Sequence, residues 1–320
     1  MKSISRCIHL FLHTVFILMA SDACCVWNLP ATEISTAATV NNDPDVAMAL
    51  NSTEEALATW TFTSTNLLIR ASKYNGSTWS APVTISVAGQ DADQSKVGMD
   101  STGKGQAVWR RSNGSNTIIQ TAAYNGASWG APINLSLTGQ DATDPQISVN
   151  ASNHAMAVWT RSNGSENVIQ AAYFDGTTWS APVTISTTGQ NAATPQVSLN
   201  STNRALAVWQ RDNGLGDLII QAAFFDGTNW GSPDSLSATG FDSSDPQVSI
   251  NDSNIGFATW ILDNAGLNEI QAARFNGTAW TELAPLTRDS LYALSGSGPA
   301  DIWAVGRPGW RRPGWRRLVG

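Results

Sequence analysis

Short apolar segments separated by turn residues recur along this chain with a period of about fifty residues. Two series of tryptophans mark the period: Trp60, Trp109, Trp159, Trp209 and Trp260 in the first, and Trp79, Trp129, Trp179, Trp230 and Trp280 in the second. Successive members lie 49 to 51 residues apart in both series. A fixed period of this length is typical of a repeated supersecondary unit. The sequence therefore predicts five copies, at residues 41–90, 91–140, 141–190, 191–240 and 241–290.

Each copy has the pattern of four short strands. In the third copy we predict strands at residues 145–150, 155–161, 168–174 and 179–186. Asn163-Gly164 lies between the second and third of these, and Asp175-Gly176 lies between the third and fourth. Such dipeptides readily adopt the positive φ that tight antiparallel hairpins require. The second turn has its glycine in all five copies, as Gly76, Gly126, Gly176, Gly227 and Gly277. Each copy is thus predicted to be a four-stranded antiparallel meander.

The second strand of each copy indicates how the meanders stack. Ala155, Ala157 and Trp159 point to one face of that strand, and Met156 and Val158 point to the other. Because both faces are apolar, both must be covered. Four-stranded sheets that stack face to face around an axis form a β-propeller. We therefore predict an all-β fold, a propeller of about six blades, and we assign the ten tryptophans a structural role between the blades.

The same residues resemble a blade of the sialidase-like propellers, which contain a turn called the Asp box. That box places a serine, an aspartate, a glycine and a threonine-tryptophan pair between the third and fourth strands. Here glycine stands three residues before tryptophan in every copy, and Asp175 and Asp226 directly precede it in two of them. The other three copies have asparagine at that point, and the serine is missing. The resemblance covers residues 41–290 and implies the propeller fold, with the turn in a structural role.

The two ends of the chain suggest how the ring closes. Residues 27–35 match the fourth strand of the repeat, and residues 291–306 resemble the opening strands of another repeat. We predict that residues 27–40 and 291–306 share a sixth blade, so that the propeller spans residues 24–306. The basic tail at residues 307–320 repeats the motif Arg-Pro-Gly-Trp-Arg. It is interpreted either as an anchor to an anionic surface or as a truncated or aberrant end.

The N-terminus has the pattern of a secretory signal peptide. Lys2 and Arg6 precede a mostly apolar stretch at residues 7–20, and the small residues Ser21 and Ala23 then favour cleavage after Ala23. We therefore expect residues 1–23 to be removed and the protein to be secreted or held at the cell surface. A lipid-modified Cys24 is the alternative to two ordinary thiols at Cys24 and Cys25.

Composition excludes several classes of protein. Charged residues make up only 13% of the chain and hydrophobic residues 42%, so disorder through high charge is excluded. Three cysteines cannot hold together a disulfide scaffold of 320 residues. The chain has no apolar run long enough for a membrane-spanning helix. Residues 24–306 contain 11 basic and 24 acidic residues, a net charge near −13 that should repel nucleic acid.

One repeated polar feature is a candidate ligand surface. Arg111, Arg161 and Arg211 each stand two residues after a tryptophan of the first series. The loop between consecutive blades carries carboxylates, among them Asp91, Asp141 and Asp144, and chain direction places both features at the same end of a blade. Together they form either a ligand-facing surface or an Arg–Asp pair that holds each loop. Calcium bound by the loop carboxylates is a weaker third interpretation; otherwise we expect no cofactor and no metal site, since only His154 remains after export.

No catalytic residue is predicted. A sialidase requires three arginines around a carboxylate, a tyrosine paired with a glutamate, and an aspartate acid, and none of these can be assigned here. Tyr74 and Tyr124 occupy a position that is phenylalanine in the other copies, which indicates packing. We therefore predict an exported, non-enzymatic propeller that binds a glycan or an extracellular protein. A sialidase-type glycoside hydrolase is the alternative, and a purely structural surface protein is a third possibility.

Overall fold

The computed structural model describes residues 34, 47–51 and 54–283, together with the backbone of strands at residues 291–298, 301–306 and 316–317. The predicted signal peptide at residues 1–23 and the segment at residues 27–33 lie outside this part. So do residues 35–46. Within the described residues, no helix is long and apolar enough to cross a membrane.

Five four-stranded antiparallel sheets follow one another along the chain, one for each predicted copy. Blade 1 contains β1 (Ala47–Leu50), β2 (Glu55–Thr63), β3 (Leu67–Asn75) and β4 (Val83–Thr84). Blade 2 contains β5 (Ala92–Met99), β6 (Gly105–Ser112), β7 (Thr117–Tyr124) and β8 (Ile133–Asn134). Blade 3 contains β9 (Ala142–Val149), β10 (Ala155–Ser162), β11 (Asn167–Phe174) and β12 (Val183–Thr184). Blade 4 contains β13 (Ala192–Leu199), β14 (Ala205–Asp212), β15 (Leu218–Phe225) and β16 (Asp234–Ser235). Blade 5 contains β17 (Asp242–Ile250), β18 (Gly256–Asn264), β19 (Leu267–Phe275) and β20 (Trp280–Glu282).

The strands of each blade pair in chain order, as a meander requires, and the all-β propeller prediction is confirmed. The turn between the third and fourth strands depends on one side chain. In blade 3 the Asp175 carboxylate accepts hydrogen bonds from the backbone amides of Thr177 and Thr178, at 2.8 and 2.7 Å. Gly176 follows with φ of 90°. An asparagine oxygen accepts the same bonds in other blades, which explains why the position alternates between aspartate and asparagine.

The fourth strand is much shorter than predicted. In blade 3 it is reduced to Val183–Thr184, preceded by an isolated bridge between Phe174 and Trp179. Pro182 cannot donate a backbone hydrogen bond, and the Ser180 hydroxyl instead accepts the amide hydrogen of Tyr173 at 3.0 Å. A side chain therefore replaces part of the backbone ladder at this edge.

The first strand starts earlier than predicted, at Ala142 in blade 3. The sequence pattern places the start of this strand at Pro145, but a bulge lets the strand begin before the proline. The pairing register shifts between Val158 and Thr160 on the neighbouring strand, and Asp144 takes a φ of 53°. A bulge lets a strand continue past a residue that cannot join the ladder.

Consecutive blades pack face to face around the first tryptophan series, whose side chains are at most 3% exposed. Trp159 of blade 3 lies in a buried cluster with Val108 and Ile119 of blade 2. Ala157 and Ala172 of its own blade belong to the same cluster, and their small side chains leave room for the indole ring. The core of this protein is therefore a series of interfaces between blades.

The described C-terminal strands form a separate three-stranded sheet. It contains β21 (Leu291–Gly298), β22 (Asp301–Gly306) and β23 (Arg316–Arg317). The sixth blade that residues 291–306 are predicted to share with residues 27–40 stays a prediction, because residues 27–33 and 35–40 lie outside the described part. The nature of the tail at residues 307–320 also stays a prediction.

Candidate functional site

The predicted polar surface lies where the hairpin between the second and third strands meets the loop that connects two blades. In blade 3, the backbone amide of Ser162 donates to the carbonyl oxygen of Asp141 at 2.8 Å. The amide of Ser112 donates in the same way to Asp91. The structure thus brings the arginine and aspartate positions to one end of each blade.

The three arginines contact backbone carbonyls of the connecting loops. Arg161 is 7% exposed, and its Nη1 donates to the carbonyl oxygens of Leu137 and Gln140, both at 2.8 Å. Burial lowers its pKa from the usual value, against a smaller opposing effect of the Asp141 charge. Arg111 and Arg211 are more exposed and donate from Nη2 to the carbonyl oxygens of Val87 and Thr188, at 3.2 and 3.4 Å. All three side chains therefore hold the loop that enters their own blade.

The loop carboxylates bind backbone amides at the start of the third strand. Asp91 accepts from the amide of Leu67, and Asp141 accepts from the amide of Thr117, each at 2.8 Å. The hydrogen bond from Thr117 holds the pKa of Asp141 below its usual value. Asp144 lies apart from them at the strand bulge, where its carboxylate accepts from Gln94 Nε2 at 3.3 Å.

The structure shows an Arg–Asp ion pair in blade 2, but the pair is formed by Arg110 and Asp93 and not by Arg111 and Asp91. Arg110 Nε donates to the Asp93 carboxylate at 2.7 Å. A ligand-binding role for Arg111, Arg161, Arg211, Asp91, Asp141 and Asp144 stays a prediction, and so does calcium at the carboxylates. Any ligand at this end would have to compete with the backbone contacts just described.

A groove lies elsewhere, between the outer parts of blades 2 and 3, and we call it the 2/3 groove. Its volume is about 810 Å³. One wall is formed by Phe174 and Trp179 of blade 3, and the other includes Ile133 and Leu137 of blade 2. Ile133 is 53% exposed and Leu137 is 61% exposed, and the side chains at matching positions of other blades, Val83, Val87 and Val183, are exposed as well. Among the described residues that line this groove, none is ionisable.

The tryptophans of the second series are only half-buried, unlike those of the first. Each packs on an aromatic ring at the end of the third strand, with ring centroids 5.2 to 5.4 Å apart and planes tilted by 41 to 48°. This contact fixes the indole ring while part of its surface faces solvent. Trp230 lines a smaller groove of about 540 Å³ between blades 3 and 4, together with Tyr173. Burial raises the pKa of that tyrosine above its usual value.

The sequence pattern did not predict the grooves, because it fixes the spacing of the tryptophans and not how far neighbouring blades separate at their outer edge. A signal was nevertheless present. Blade 2 departs from the repeat at Gln106, Thr121 and Ala123, and all three residues line the 2/3 groove.

Comparison with solved structures identifies the fold. The BP39L lectin from Burkholderia pseudomallei is 16% identical, with 87% of this chain and 82% of the lectin covered at a TM-score of 0.60. An ulvan lyase from a new polysaccharide lyase family is 11% identical, with 84% and 81% covered at a TM-score of 0.53. An α-L-arabinanase from Penicillium chrysogenum is 13% identical, with 84% and 92% covered at a TM-score of 0.50.

No protein-family model matches the sequence, and no curated protein matches it. At the identities of the solved structures the likeness shows the fold alone, and by that fold the chain is a β-propeller. The propeller fold that the resemblance implied is confirmed, and the Asp-box repeat stays a prediction.

Proposed function

We propose that this protein is a non-enzymatic carbohydrate-binding propeller and that the 2/3 groove is its glycan site. The observation that carries the proposal is the half-buried Trp179 in the wall of a groove whose described lining residues are all uncharged. A volume of about 810 Å³ lies within the usual range of small-molecule sites. The N-terminal pattern supports a place outside the cell, where such a module would meet glycans.

The lining chemistry suits a sugar. A pyranose ring has an apolar face of C–H groups and an edge of hydroxyl groups. Trp179 is held by its contact with Phe174, and its free surface offers an apolar platform without loss of side-chain freedom on binding. Hydroxyl and amide side chains such as Thr177 and Asn134 lie exposed along the same groove and can bond the hydroxyl groups.

The same lining favours binding over cleavage. Most glycoside hydrolases act with a pair of carboxyl groups on either side of the scissile bond, and a sialidase requires a tyrosine paired with a glutamate and an aspartate acid. The described residues of the 2/3 groove provide no carboxyl group at all. The structurally similar proteins include a lectin, a lyase and an arabinanase, so the fold does not decide between binding and catalysis.

The proposal is tested by screening the purified protein on an array of neutral and acidic glycans, followed by calorimetry with the best ligand. Trp179→Ala should lower the affinity at least tenfold. Trp280→Ala is the matched control, because Trp280 makes the same contact with Phe275 but lies outside the groove. Its affinity should be unchanged.

Three results would contradict the proposal. The first is no binding to any glycan on the array. The second is binding that survives Trp179→Ala but is lost when Arg111, Arg161 and Arg211 are all changed to Ala, which would move the site to the polar end. The third is release of free sugar from a fluorogenic glycoside, including a sialoside, which would support the hydrolase alternative.

A further inference from the structure

Blade 2 differs from the other blades at three positions on the face that it turns towards blade 3. Gln106 stands where the other blades have Leu57, Met156, Leu206 and Phe257. Thr121 stands where they have Ala71, Ala171, Ala222 and Ala272. Ala123 stands where they have the large side chains Lys73, Tyr173, Phe224 and Arg274.

The three positions are neighbours in the sheet. Gln106 pairs across the ladder with Ala123. Val108, two residues after Gln106 on the same strand, pairs with Thr121. Residues two apart on a strand point to the same face. All three residues line the 2/3 groove. The small Ala123 leaves the space that Tyr173 occupies on the corresponding face of blade 3, so the groove reaches inward to Gln106 and Thr121.

The two polar side chains at this point have unused hydrogen-bonding capacity. Gln106 and Thr121 are each 1% exposed, yet Gln106 Oε1 and Thr121 Oγ1 have no hydrogen-bond partner. A buried polar atom without a partner is destabilising. Other described residues also have such atoms, among them Thr59 and Thr160, but Gln106 and Thr121 are the two that line the 2/3 groove. The other four described blades have an apolar side chain at the Gln106 position. Packing of the repeat therefore does not require an amide there.

From these observations we propose that Gln106 and Thr121 form the floor of a subsite for a neutral sugar, with Trp179 as its wall. This inference rests on the proposed function and names the ligand class of the same groove. Gln106 Oε1 accepts a hydrogen bond from one sugar hydroxyl group, and the Thr121 hydroxyl bonds its neighbour. Uncharged ligands are selected because a buried charge would find no counter-charge among the described lining residues.

The repeat itself supplies the test variants. Gln106→Leu and Thr121→Ala install the residues of blade 4, and Ala123→Tyr installs the residue of blade 3 and fills the space. Each variant should lower the affinity for the neutral glycan identified on the array by tenfold or more. The melting temperature of Gln106→Leu should be equal to or higher than that of the wild type, since an unpaired amide is removed. Met156→Leu is the control on blade 3 and should leave binding unchanged.

The outcomes separate this inference from the proposed function. If the wild type binds a glycan and both Gln106→Leu and Thr121→Ala bind it equally well, the floor assignment is wrong while the binding function stands. The same conclusion follows if the preferred glycan is acidic and its affinity falls with added salt. If the wild type binds no glycan, the proposed function itself fails. Should Ala123→Tyr fold poorly, the two smaller substitutions still decide the question.

Discussion

The asparagine that closes the turn between the first and second strands also joins neighbouring blades. Asn200 Oδ1 accepts hydrogen bonds from the backbone amides of Thr202 and Arg204 in its own turn, at 3.0 and 2.9 Å. Its Nδ2 donates to the carbonyl oxygen of Asn251 at 2.9 Å and to Asn254 Oδ1 at 3.0 Å, both in blade 5. Asn200→Asp keeps the acceptor inside the turn and removes the donor between the blades.

The expected cost of this change follows from those contacts. Two hydrogen bonds between blades are lost, at about 1 kcal/mol each. The new carboxylate also faces two oxygen atoms at a position that is 3% exposed, which adds a penalty for a buried charge. The amides of the turn partly offset it. We expect the free energy of unfolding to fall by about 2–4 kcal/mol at pH 7.

The penalty should shrink when the pH is lowered. Acceptor oxygens and burial raise the pKa of the new carboxyl group above its unfolded value, so the folded state disfavours the charged form. Once that group is protonated, it can donate one of the two lost bonds. The difference in stability between variant and wild type is therefore largest above the raised pKa and decreases as pH falls through it.

Urea unfolding followed by tryptophan fluorescence measures the effect, and Asn251→Asp is the matched control. Asn251 Oδ1 accepts from Ser253 and Ile255 in the same kind of turn, but no bond from its Nδ2 to another blade is seen among the described residues. Asp100 already serves this turn in blade 2, accepting from Thr102 and Lys104 at 2.8 Å. The control should therefore cost less than about 1 kcal/mol. Equal losses for both variants would refute the reasoning.

Two further predictions concern the tryptophans and the turn carboxylates. Trp159→Ala should lower the free energy of unfolding by about 3–5 kcal/mol through the cavity it leaves. Trp179→Ala should lower it clearly less, because Trp179 is only half-buried. Equal losses in denaturant titrations would contradict this prediction. Backbone amides lower the pKa values of Asp141, Asp175 and Asp226. The stability that these carboxylates contribute is therefore fully present above the unfolded carboxyl pKa of about 4. It is lost as the pH falls through the lower pKa values of the folded state. Changing all three to Asn, which accepts the same bonds elsewhere in the repeat, should flatten the decline of melting temperature in acid, and an unchanged profile would show that other groups cause it.

The fold could be predicted because its determinants repeat. The spacing of Trp109, Trp159 and Trp209 fixes the blade length, and the turn at Asp175-Gly176 fixes the hairpin. The errors occurred where a side chain takes over a backbone role. The Ser180 hydroxyl replaces a ladder bond beside Pro182, which shortens the fourth strand, and a bulge carries the first strand past Pro145.

The candidate site was less predictable for a related reason. The recurrence of Arg111, Arg161 and Arg211 along the sequence makes them a candidate ligand surface. The structure places all three side chains against loop carbonyls. A structural contact is expected to recur from blade to blade, and this one recurs in blades 2, 3 and 4, while Phe62 and Leu262 occupy the position in blades 1 and 5. A regular pattern therefore indicates structure first. The 2/3 groove is larger than the equivalent groove between blades 3 and 4, and it lies where blade 2 departs from the repeat. Its size depends on packing that a single sequence does not reveal.

The departures in blade 2 are informative because they act against stability. An apolar residue at position 106 would pack against blade 3, as Met156 packs against blade 4, and would leave no amide oxygen without a partner. Ala123 likewise gives up the contacts that Tyr173 makes with Phe225. Local features that disagree with an otherwise consistent fold are expected at functional sites. Three such features meet in one groove beside the half-buried indole ring of Trp179, and a ligand that supplies the missing contacts accounts for all three together.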